Sequence, residues 1–319
     1  MNDKLPLKII FLNVQHGDGI IVLLPHEKTY ESAMIIDCND GRKAYKVLKE
    51  YNIKLVEAIV ISHFHSDHYR GFDILLNKLK EEKIKMKNIY YYPDKVYRET
   101  KEEKTYKSFL AKIVQLVNNN DFVSNSNVID GNKKEKVIYI DENLKISIIY
   151  PRNIDITGEN KINNYSGIVD IEYKKNKILL TGDLEDGGWF KLYNYMKRYQ
   201  NQDCLNVDLI KMPHHGAFYE TQKKKTLGTK EILEFVKPDY AIISTAENRK
   251  YQHPNINTIM ELRRKSIKIL CTNSTKICKK ECECFGDIVV DIDENIIIKD
   301  YNIKSQNLYC IKNIKIKLD

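Results

Sequence analysis

The chain has 319 residues, of which 42% are hydrophobic and 30% charged, and its formal net charge is +8. This apolar fraction can form a sizeable core, which excludes a disordered or fibrous protein. No apolar run reaches the ~18–20 residues of a membrane-spanning helix, and the short apolar start lacks the pattern of a signal peptide. We therefore expect a cytoplasmic protein without a membrane partner.

The positive charge comes mainly from lysine. Only eight of the 52 basic residues are arginine, the residue best suited to paired hydrogen bonds with phosphates and bases. The charge is therefore a weak indication of an anionic partner. The chain also has eight histidines. Five of them lie in two tight clusters, which makes histidine the stronger indication of function.

The hydrophobic pattern alternates between strand and helix periods along the chain. Strands are predicted at 7–14, 19–24, 33–37, 56–62, 89–92, 136–140, 144–150, 167–173, 177–180, 207–212, 240–244 and 267–271, with β-like segments over 287–316. Helices are predicted at 41–50, 71–80, 100–117, 189–199, 230–235 and 255–265. Because no Gly/Ser-rich or Pro-rich linker interrupts the pattern, we expect a single domain over 1–319 with layered α/β/β/α architecture.

The first histidine cluster, His63-Phe64-His65-Ser66-Asp67-His68, directly follows a predicted strand. Three imidazoles and a carboxylate in this spacing can be directed at two points ~3.5–4 Å apart, the separation of two-metal hydrolytic sites. Nitrogen and carboxylate donors without a thiolate suit Zn²⁺, Mn²⁺ or Fe²⁺. The alternative, a histidine-rich loop that binds no metal, is disfavoured by the spacing.

Two further segments place polar side chains at the ends of predicted strands. Thr181-Gly182-Asp183 offers one carboxylate, and His214-His215-Gly216 offers two imidazoles. Ligands on short turns at strand ends are what a rigid metal site requires. Thr-Gly-Asp alone is a weak signal and His-His-Gly a moderate one.

These segments also carry a family resemblance. His63–His68 resembles the His-x-His-x-Asp-His signature of metallo-β-lactamase fold hydrolases. Leu12–Gly19 is similar to the opening Leu-Asp-Val-Gly-Gln-Gly-Asp-Ala of the hydrolase domain of ComEC-type DNA-uptake proteins. The other matches follow in the same order as in that family: Asn163–Ser166, Thr181–Glu185, Pro213–Gly216 and Tyr251–Pro254. The resemblance implies a four-layer αβ/βα sandwich. It covers the hydrolytic module and not the membrane channel of full ComEC proteins.

The resemblance further implies two bound divalent metal ions, Zn²⁺ or Mn²⁺. His63 and His65 would bind one ion, Asp67 and His68 the other, and Asp183 would bridge them. One of His214 and His215 would complete the second ion's ligands, and the other would reach a substrate phosphate. Asn163 or Asn164 would stand where other branches of the family have a histidine.

Supporting roles follow from the same resemblance. Asp37 would accept a hydrogen bond from a ligating imidazole, and Asp18 would fix the first turn near the metals. Ser244 and Asn248 would line the substrate groove. His253 would give a proton to the leaving oxygen or bind the phosphate, the alternative being a surface histidine before a helix. The chain departs from the family at Gln15-His16, in place of Gly-Gln, and at Ala217, in place of Ser.

The function expected from this site is that of a dinuclear metal-dependent phosphodiesterase or nuclease. It would act on DNA or RNA through a hydroxide that bridges the metals, with Asp67 as a catalytic ligand. A first alternative is hydrolysis of a small phosphoester, such as a phosphocholine ester or a cyclic nucleotide. A second is a non-catalytic regulatory module of the same fold, which the intact ligand set argues against. The oligomeric state is left open.

Two further patterns have plainer interpretations. Cys271, Cys278, Cys282 and Cys284 form a Cys-rich insertion near 271–284, and their spacing is not that of a usual zinc site. We interpret them as reduced cysteines of a hairpin, with a structural metal or a redox pair as the alternative. The tyrosines at 90–92, 97 and 106 favour packing in the core over stacking on the bases of a single strand.

Overall fold

The computed structural model describes residues 4–91, 103–118, 123–128, 135–151, 161–220, 224–247, 252–277 and 286–301. The strands are β1 Leu7–Phe11, β2 Gly19–Leu23, β3 Ser32–Cys38, β4 Leu55–Val60, β5 Lys85–Tyr91, β6 Val123–Val128, β7 Lys136–Ile140, β8 Leu144–Tyr150, β9 Ile168–Tyr173, β10 Asn176–Leu180, β11 Leu209–Lys211, β12 Tyr240–Ile243, β13 Lys268–Cys271, β14 Asp287–Ile292 and β15 Ile296–Tyr301. The helices are α1 Gly41–Glu50, α2 Ser66–Tyr69, α3 Phe72–Glu81, α4 Glu103–Asn118, α5 Asp186–Gln200, α6 Thr229–Val236 and α7 Ile256–Arg264. Two 3₁₀ turns cover Ile162–Tyr165 and Pro213–Gly216.

The strands form two sheets. The first has the order β15-β14-β1-β2-β3-β4-β5-β6, and the second has the order β13-β12-β11-β10-β9-β8-β7. Strands β3 to β6 run parallel in the first sheet, and β10 to β13 run parallel in the second. The turns that leave β4, β10 and β11 carry the three predicted metal-binding segments.

Two apolar cores hold the layers together. The larger fills the space between the sheets and reaches under α1, α3 and α4, and the smaller lies between the second sheet and α5, α6 and α7. Side chains along β10 point alternately to the two faces of the second sheet. Ile178 and Leu180 belong to the first core and Leu179 to the second, so this sheet is covered on both faces. The expected four-layer αβ/βα sandwich is confirmed.

Helix α1 illustrates how local sequence sets these elements. The Asp40 side chain caps it by accepting hydrogen bonds from the backbone N–H groups of Arg42 and Lys43. Ala44, Val47 and Leu48 form one buried face at helical spacing. This face packs the helix onto the first sheet, and its bounds are those predicted from the sequence.

Elsewhere the observed elements differ from those predicted. Strand β6 was not predicted, since its sequence Val-Ser-Asn-Ser-Asn-Val lacks an apolar face. Helix α5 begins at Asp186, earlier than the predicted 189, because Gly187 and Gly188 are accommodated in its first turn. Strand β11 covers only Leu209–Lys211 of the predicted 207–212.

The remaining sequence patterns are only partly within the described residues. Tyr90, Tyr91 and Tyr106 are buried in the core, in agreement with the packing interpretation, whereas Tyr92 and Tyr97 lie outside the described residues. Cys271 is buried at the end of β13. The other three clustered cysteines, at 278, 282 and 284, lie outside the described residues, as does the predicted β-like segment beyond 301. Among the helices described, none combines the length and apolar character needed to cross a bilayer.

Candidate metal centre

Three turns from the two sheets meet at one edge of the sandwich. The histidine cluster leaves β4 of the first sheet, while Asp183 follows β10 and the His-His pair follows β11 of the second. Gly182 has φ +50°, and a Cβ there would lie 2.8 Å from Oγ of Ser62. Glycine is therefore needed where the β10 turn approaches the β4 turn.

One oxygen of Asp183 lies at the centre of the histidines. Its Oδ2 atom is 3.3 Å from Nε2 of His68 and 3.5 Å from Nε2 of His215. The same oxygen is 4.0 Å from Nε2 of His63 and 3.9 Å from Nε2 of His214. Four imidazoles from two sheets therefore face a single carboxylate oxygen, which suits an atom that bridges two cations.

The side chains divide into two groups around this oxygen. Atoms of Asp67, His68, Asp183 and His215 all lie within 4.8 Å of one another. On the other side, Nε2 of His63 and Nδ1 of His65 are 3.1 Å apart. The pairing of His63 with His65 and of Asp67 with His68 that the resemblance implies remains a prediction for these two groups.

Hydrogen bonds orient the histidines of the first group. Nδ1 of His215 lies 2.8 Å from the Ser244 carbonyl and donates to it, and Nδ1 of His68 lies 2.7 Å from Oδ2 of Asp37. Each Nε2 atom is buried and forms no hydrogen bond with any residue that the structure describes. Since an imidazole whose Nδ1 donates presents its Nε2 lone pair, both rings are prepared to bind a cation. His215 therefore fits the Asp67 group, and Ser244 contributes its carbonyl.

His214 has a different environment. Its Nδ1 atom is 3.1 Å from the Tyr219 hydroxyl and 3.4 Å from a carboxylate oxygen of Glu185. Its ring centroid is 5.2 Å from that of His253, and about a quarter of its side chain is exposed. His214 thus faces the open side of the site.

The His-His turn has an unusual backbone. His214 and His215 have φ values of 45° and 55°, and Gly216 has φ 81°. Left-handed conformations at non-glycine residues are uncommon and cost free energy, on the order of 1–3 kcal/mol each. Such strain concentrates at functional sites, where surrounding contacts impose it.

The two adjacent asparagines have separate surroundings. Nδ2 of Asn163 donates to Glu185 over 3.0 Å, and its buried Oδ1 atom accepts no hydrogen bond from the described part of the chain. Oδ1 of Asn164 instead accepts a hydrogen bond from the Gly188 N–H, at the start of α5. An amide oxygen left open is a metal ligand or substrate acceptor, so Asn163 fits the site and Asn164 holds α5 in place.

Two buried carboxylates support the centre from the first sheet. Asp37 accepts from both the N–H and the hydroxyl of Ser62, at 2.7 and 2.6 Å, in addition to contacting His68. Asp18 lies 3.7 Å from Nδ1 of His68, and its backbone N–H donates to the Asp67 carbonyl over 3.1 Å. The first turn is thus tied to the histidine cluster.

The electrostatics favour positive charge at this centre. Burial opposes ionisation of Asp183, but His215, His68 and Lys211 hold its pKa well below the usual range. Burial likewise lowers the pKa of His68, yet Asp183 and Asp37 raise it well above its ordinary value. Carboxylates that force a proton onto a buried imidazole offer the same site to a metal cation.

The donor set therefore fits two divalent ions. One would be held by Asp67, His68, Asp183 and His215, and the other by His63, His65, Asp183 and the Asn163 amide oxygen. Imidazole and carboxylate ligands suit Zn²⁺ or Mn²⁺. The observation that carries this fit is that the buried Nε2 atoms of His68 and His215 face carboxylate oxygens but form no hydrogen bond within the described residues.

Comparison with known proteins bears on the fold. The family model described as "Metallo-beta-lactamase superfamily" matches residues 29–139, which include the histidine cluster and its flanking strands. The chain has the metallo-β-lactamase fold.

Two curated relatives of this metallo-β-lactamase-fold protein extend the comparison. ComE operon protein 3 of Bacillus subtilis (strain 168) is 26% identical over 286 residues, which cover 83% of this chain and 32% of that protein. Recombination protein 2 of Haemophilus influenzae is 27% identical over 123 residues, covering 39% of this chain and 13% of that protein. The chain thus spans about a third of the length of the first relative and resembles it over most of its own.

Two solved structures also resemble this chain. The metallo-β-lactamase fold protein YhfI from Bacillus subtilis has a TM-score of 0.49 at 12% identity, covering 84% of this chain and 97% of its own. The short form of human tRNase Z has a TM-score of 0.47 at 14% identity, covering 76% and 93%.

The metal centre of this metallo-β-lactamase-fold protein opens into a cavity of about 710 Å³. The walls include imidazoles, carboxylates and one guanidinium: Gln15, His16, His65, Ser66, Asp67, Tyr69, Arg70, Thr105, Asn163, Asp183 and His214. His253 and Ser244, predicted to be near the substrate, are not among these lining residues. Asn248, the other predicted groove residue, lies outside the described residues.

Three residues at the site were not given a role from the sequence. Glu185 joins Asn163 to His214, His16 has its Nε2 3.4 Å from Oδ2 of Asp67, and Lys211 is fully buried beside Asp183. The signal for Lys211 is visible in retrospect. It is a lone charge in the apolar run Leu-Ile-Lys-Met just before Pro213-His214, and lysine is almost never fully buried without a partner.

Proposed function

We propose that this protein is a dinuclear metal-dependent hydrolase of phosphodiester bonds, with a nucleic acid as its substrate. The observation that carries the proposal is the convergence of four imidazoles on Oδ2 of Asp183, at 3.3 to 4.0 Å, with the Asp67 carboxylate beside them. Such donors around one bridging oxygen are typical of two-metal hydrolytic sites.

Two divalent ions bound there would lower the pKa of bound water and stabilise negative charge on the reacting phosphate. The residues of the chain supply the rest. Asp37 and the Ser244 carbonyl fix the orientation of His68 and His215, and Glu185 fixes the Asn163 amide. A site held this firmly meets the geometric demand of hydrolysis without rearrangement.

The cavity supports an anionic substrate. The exposed Arg70 guanidinium and the His214 imidazole lie on its walls, and both can donate to phosphate oxygens. The similarity to ComEC-type DNA-uptake proteins supports DNA as the first substrate to test.

His253 lies beside His214, with 5.2 Å between the ring centroids. Burial, with the nearby His214 and His215, lowers its pKa to about 4, which disfavours a charged ring as the donor of a proton to the leaving oxygen. Because His253 is not among the residues that line the cavity, its part in the proposal is to support His214 at the cavity wall.

The test is hydrolysis by protein loaded with Mn²⁺ or Zn²⁺. Single-stranded DNA, duplex DNA, RNA and bis(p-nitrophenyl) phosphate are assayed, together with a cyclic nucleotide and a phosphocholine ester. Asp67→Ala and Asp183→Ala are expected to lose at least 100-fold in rate. His26→Ala, at an exposed turn about half open to solvent, is the matched histidine control and keeps full activity.

Each result has a definite meaning. Cleavage of a polynucleotide by the wild type, lost in both aspartate variants, supports the proposal. Activity on only the small esters would move the function to the first alternative from the sequence. Absence of any hydrolysis by fully loaded protein would overturn the proposal in favour of a non-catalytic module.

A further inference from the structure

A buried lysine links the two sheets next to the metal centre. Lys211 lies in β11, where Leu209 belongs to the core between the sheets and Ile210 to the core under the helices. By alternation, Lys211 faces the space between the sheets. Its side chain is fully buried, although moving an unpaired ammonium out of water into a protein interior costs several kcal/mol.

The Lys211 ammonium has three partners. It forms an ion pair with Oδ2 of Asp18 from the first sheet and donates to the Gly182 carbonyl over 2.9 Å. Its third partner is Oδ1 of Asp183, at 3.6 Å. The hydrogen bond to Gly182 fixes the residue just before Asp183, so two of the three contacts act on the β10 turn.

The two oxygens of Asp183 therefore face opposite surroundings. Oδ2 is the atom that lies 3.3 to 4.0 Å from the four imidazoles. Oδ1 is buried, has no hydrogen bond in the described part of the chain, and points to the Lys211 ammonium. A fixed cation beside one oxygen holds the plane of the carboxylate, because a partial turn would move that oxygen away from the ammonium and weaken the attraction.

We propose that Lys211 is a positioning residue that orients the Asp183 carboxylate, so that one oxygen faces the ammonium and the other is presented to the imidazoles that would hold the metal ions. This inference rests on the proposed dinuclear function and concerns a residue that contacts neither substrate nor metal. The ion pair between Lys211 and Asp18 allows a competing interpretation. In that interpretation, Lys211 only neutralises Asp18 and has no effect on Asp183.

The two interpretations are separated by comparing Asp18→Asn with Asp18→Asn/Lys211→Met. These chains differ only at residue 211, and neither contains a buried unpaired charge at position 18. Methionine keeps much of the lysine's length without its charge. The single change Lys211→Met is unsuitable alone, since it leaves Asp18 buried without its cation and can prevent folding.

The measurements are made on the full chain. Thermal unfolding of the metal-free variants reports folding, and competition with a chelating dye reports affinity for Zn²⁺ and Mn²⁺. Elemental analysis gives the number of ions bound per chain. We expect both variants to fold, and we expect Asp18→Asn/Lys211→Met to bind the second ion at least tenfold more weakly than Asp18→Asn, the range seen when a group that orients a ligand is removed.

Equal affinity and ion number in the two variants would overturn the inference and leave the proposed function intact. A wild-type protein that binds no ion would overturn both. Lys211→Arg in the wild-type background gives a further check. It retains the charge, so it is expected to bind the second ion more tightly than Asp18→Asn/Lys211→Met, and a folded Lys211→Arg variant that binds it no more tightly would count against the inference.

Discussion

Oδ2 of Asp37 lies 2.7 Å from Nδ1 of His68 while it also accepts the Ser62 hydroxyl, so one buried carboxylate sets the direction of the ring. Asp37 has φ 57°, a left-handed conformation at the end of β3 that non-glycine residues seldom adopt. The backbone strain at Asp37 is thus coupled to the orientation of a candidate metal ligand.

Asp37→Asn is expected to weaken binding of the ion next to His68 by about 10–100-fold, the usual effect of removing a group that orients a ligand. The amide cannot accept from both Ser62 and His68 without turning an N–H₂ group towards a donor. Isothermal titration with Zn²⁺ measures the change. Asp40→Asn, which keeps the cap of α1, is the control. Affinity within threefold of the wild type would contradict this role for Asp37.

Substitutions of the neighbouring asparagines 163 and 164 should affect different properties, metal binding in one case and stability in the other. Asn163→Ala removes the open amide oxygen, so we expect fewer than two ions per chain at limiting metal and little change in unfolding temperature. Asn164→Ala removes the acceptor for the Gly188 N–H and should cost about 1–3 kcal/mol of stability with metal number unchanged. Elemental analysis and urea unfolding test both. Loss of a bound ion from Asn164→Ala, with both ions retained in Asn163→Ala, would make Asn164 the metal ligand.

The two histidines of the strained turn should also differ. His215→Ala removes a side chain of the Asp67 group, so we expect the loss of one ion per chain. His214→Ala is expected to retain both ions and to raise KM for a phosphodiester more than it lowers kcat, because the ring faces the cavity. Steady-state kinetics beside elemental analysis check the pair. Loss of an ion from His214→Ala alone would exchange the two roles.

Asp170 in β9 should make stability depend on pH. Burial raises its pKa to about 6 from 3.8, with Lys177 at 3.3 Å opposing the shift. The folded state therefore holds the proton more tightly than the unfolded state. This contribution is fully present below pH 3.8 and is lost as the pH rises through 6.

Asp170→Asn is accordingly expected to be about 1–3 kcal/mol more stable than the wild type at pH 7 and to show a smaller decline in stability between pH 4 and 6. Urea unfolding of metal-free protein at several pH values measures both quantities. Asp203→Asn, at an exposed side chain, controls for the loss of one negative charge. A wild-type stability that rises steadily over pH 4 to 6, with the variant parallel to it, would refute the assignment.

Much of the architecture is visible in the sequence because its elements satisfy local rules. Helix α1 has a capping Asp40 and a clear apolar face, and its bounds were predicted correctly. Strands β7 and β8 were also predicted with their observed bounds. Strand β6 was missed because its pairing with β5 comes from the tertiary fold and not from an apolar pattern of its own.

The site was visible only in part for the same reason. The histidine cluster has its ligands in consecutive residues, so its spacing can be read directly from the chain. The role of Lys211 depends on its ion pair with Asp18, which is distant in sequence and lies in the turn before β2 of the other sheet. The choice between His214 and His215 likewise depends on the Ser244 carbonyl, a backbone atom that carries no signature in the sequence.

The meeting of two sheets at one carboxylate has a mechanical consequence. Ligands from the β4 turn belong to one half of the sandwich, and those from the β10 and β11 turns belong to the other. Each bound ion would therefore cross-link the two halves reversibly. Emptying the centre would leave the Lys211–Asp18 ion pair to hold that edge against the repulsion of its own carboxylates. The concentration of free metal ions would then determine how often this edge opens to proteases and to hydrogen exchange. The rate at which the protein is degraded would depend on these ions, as its activity would.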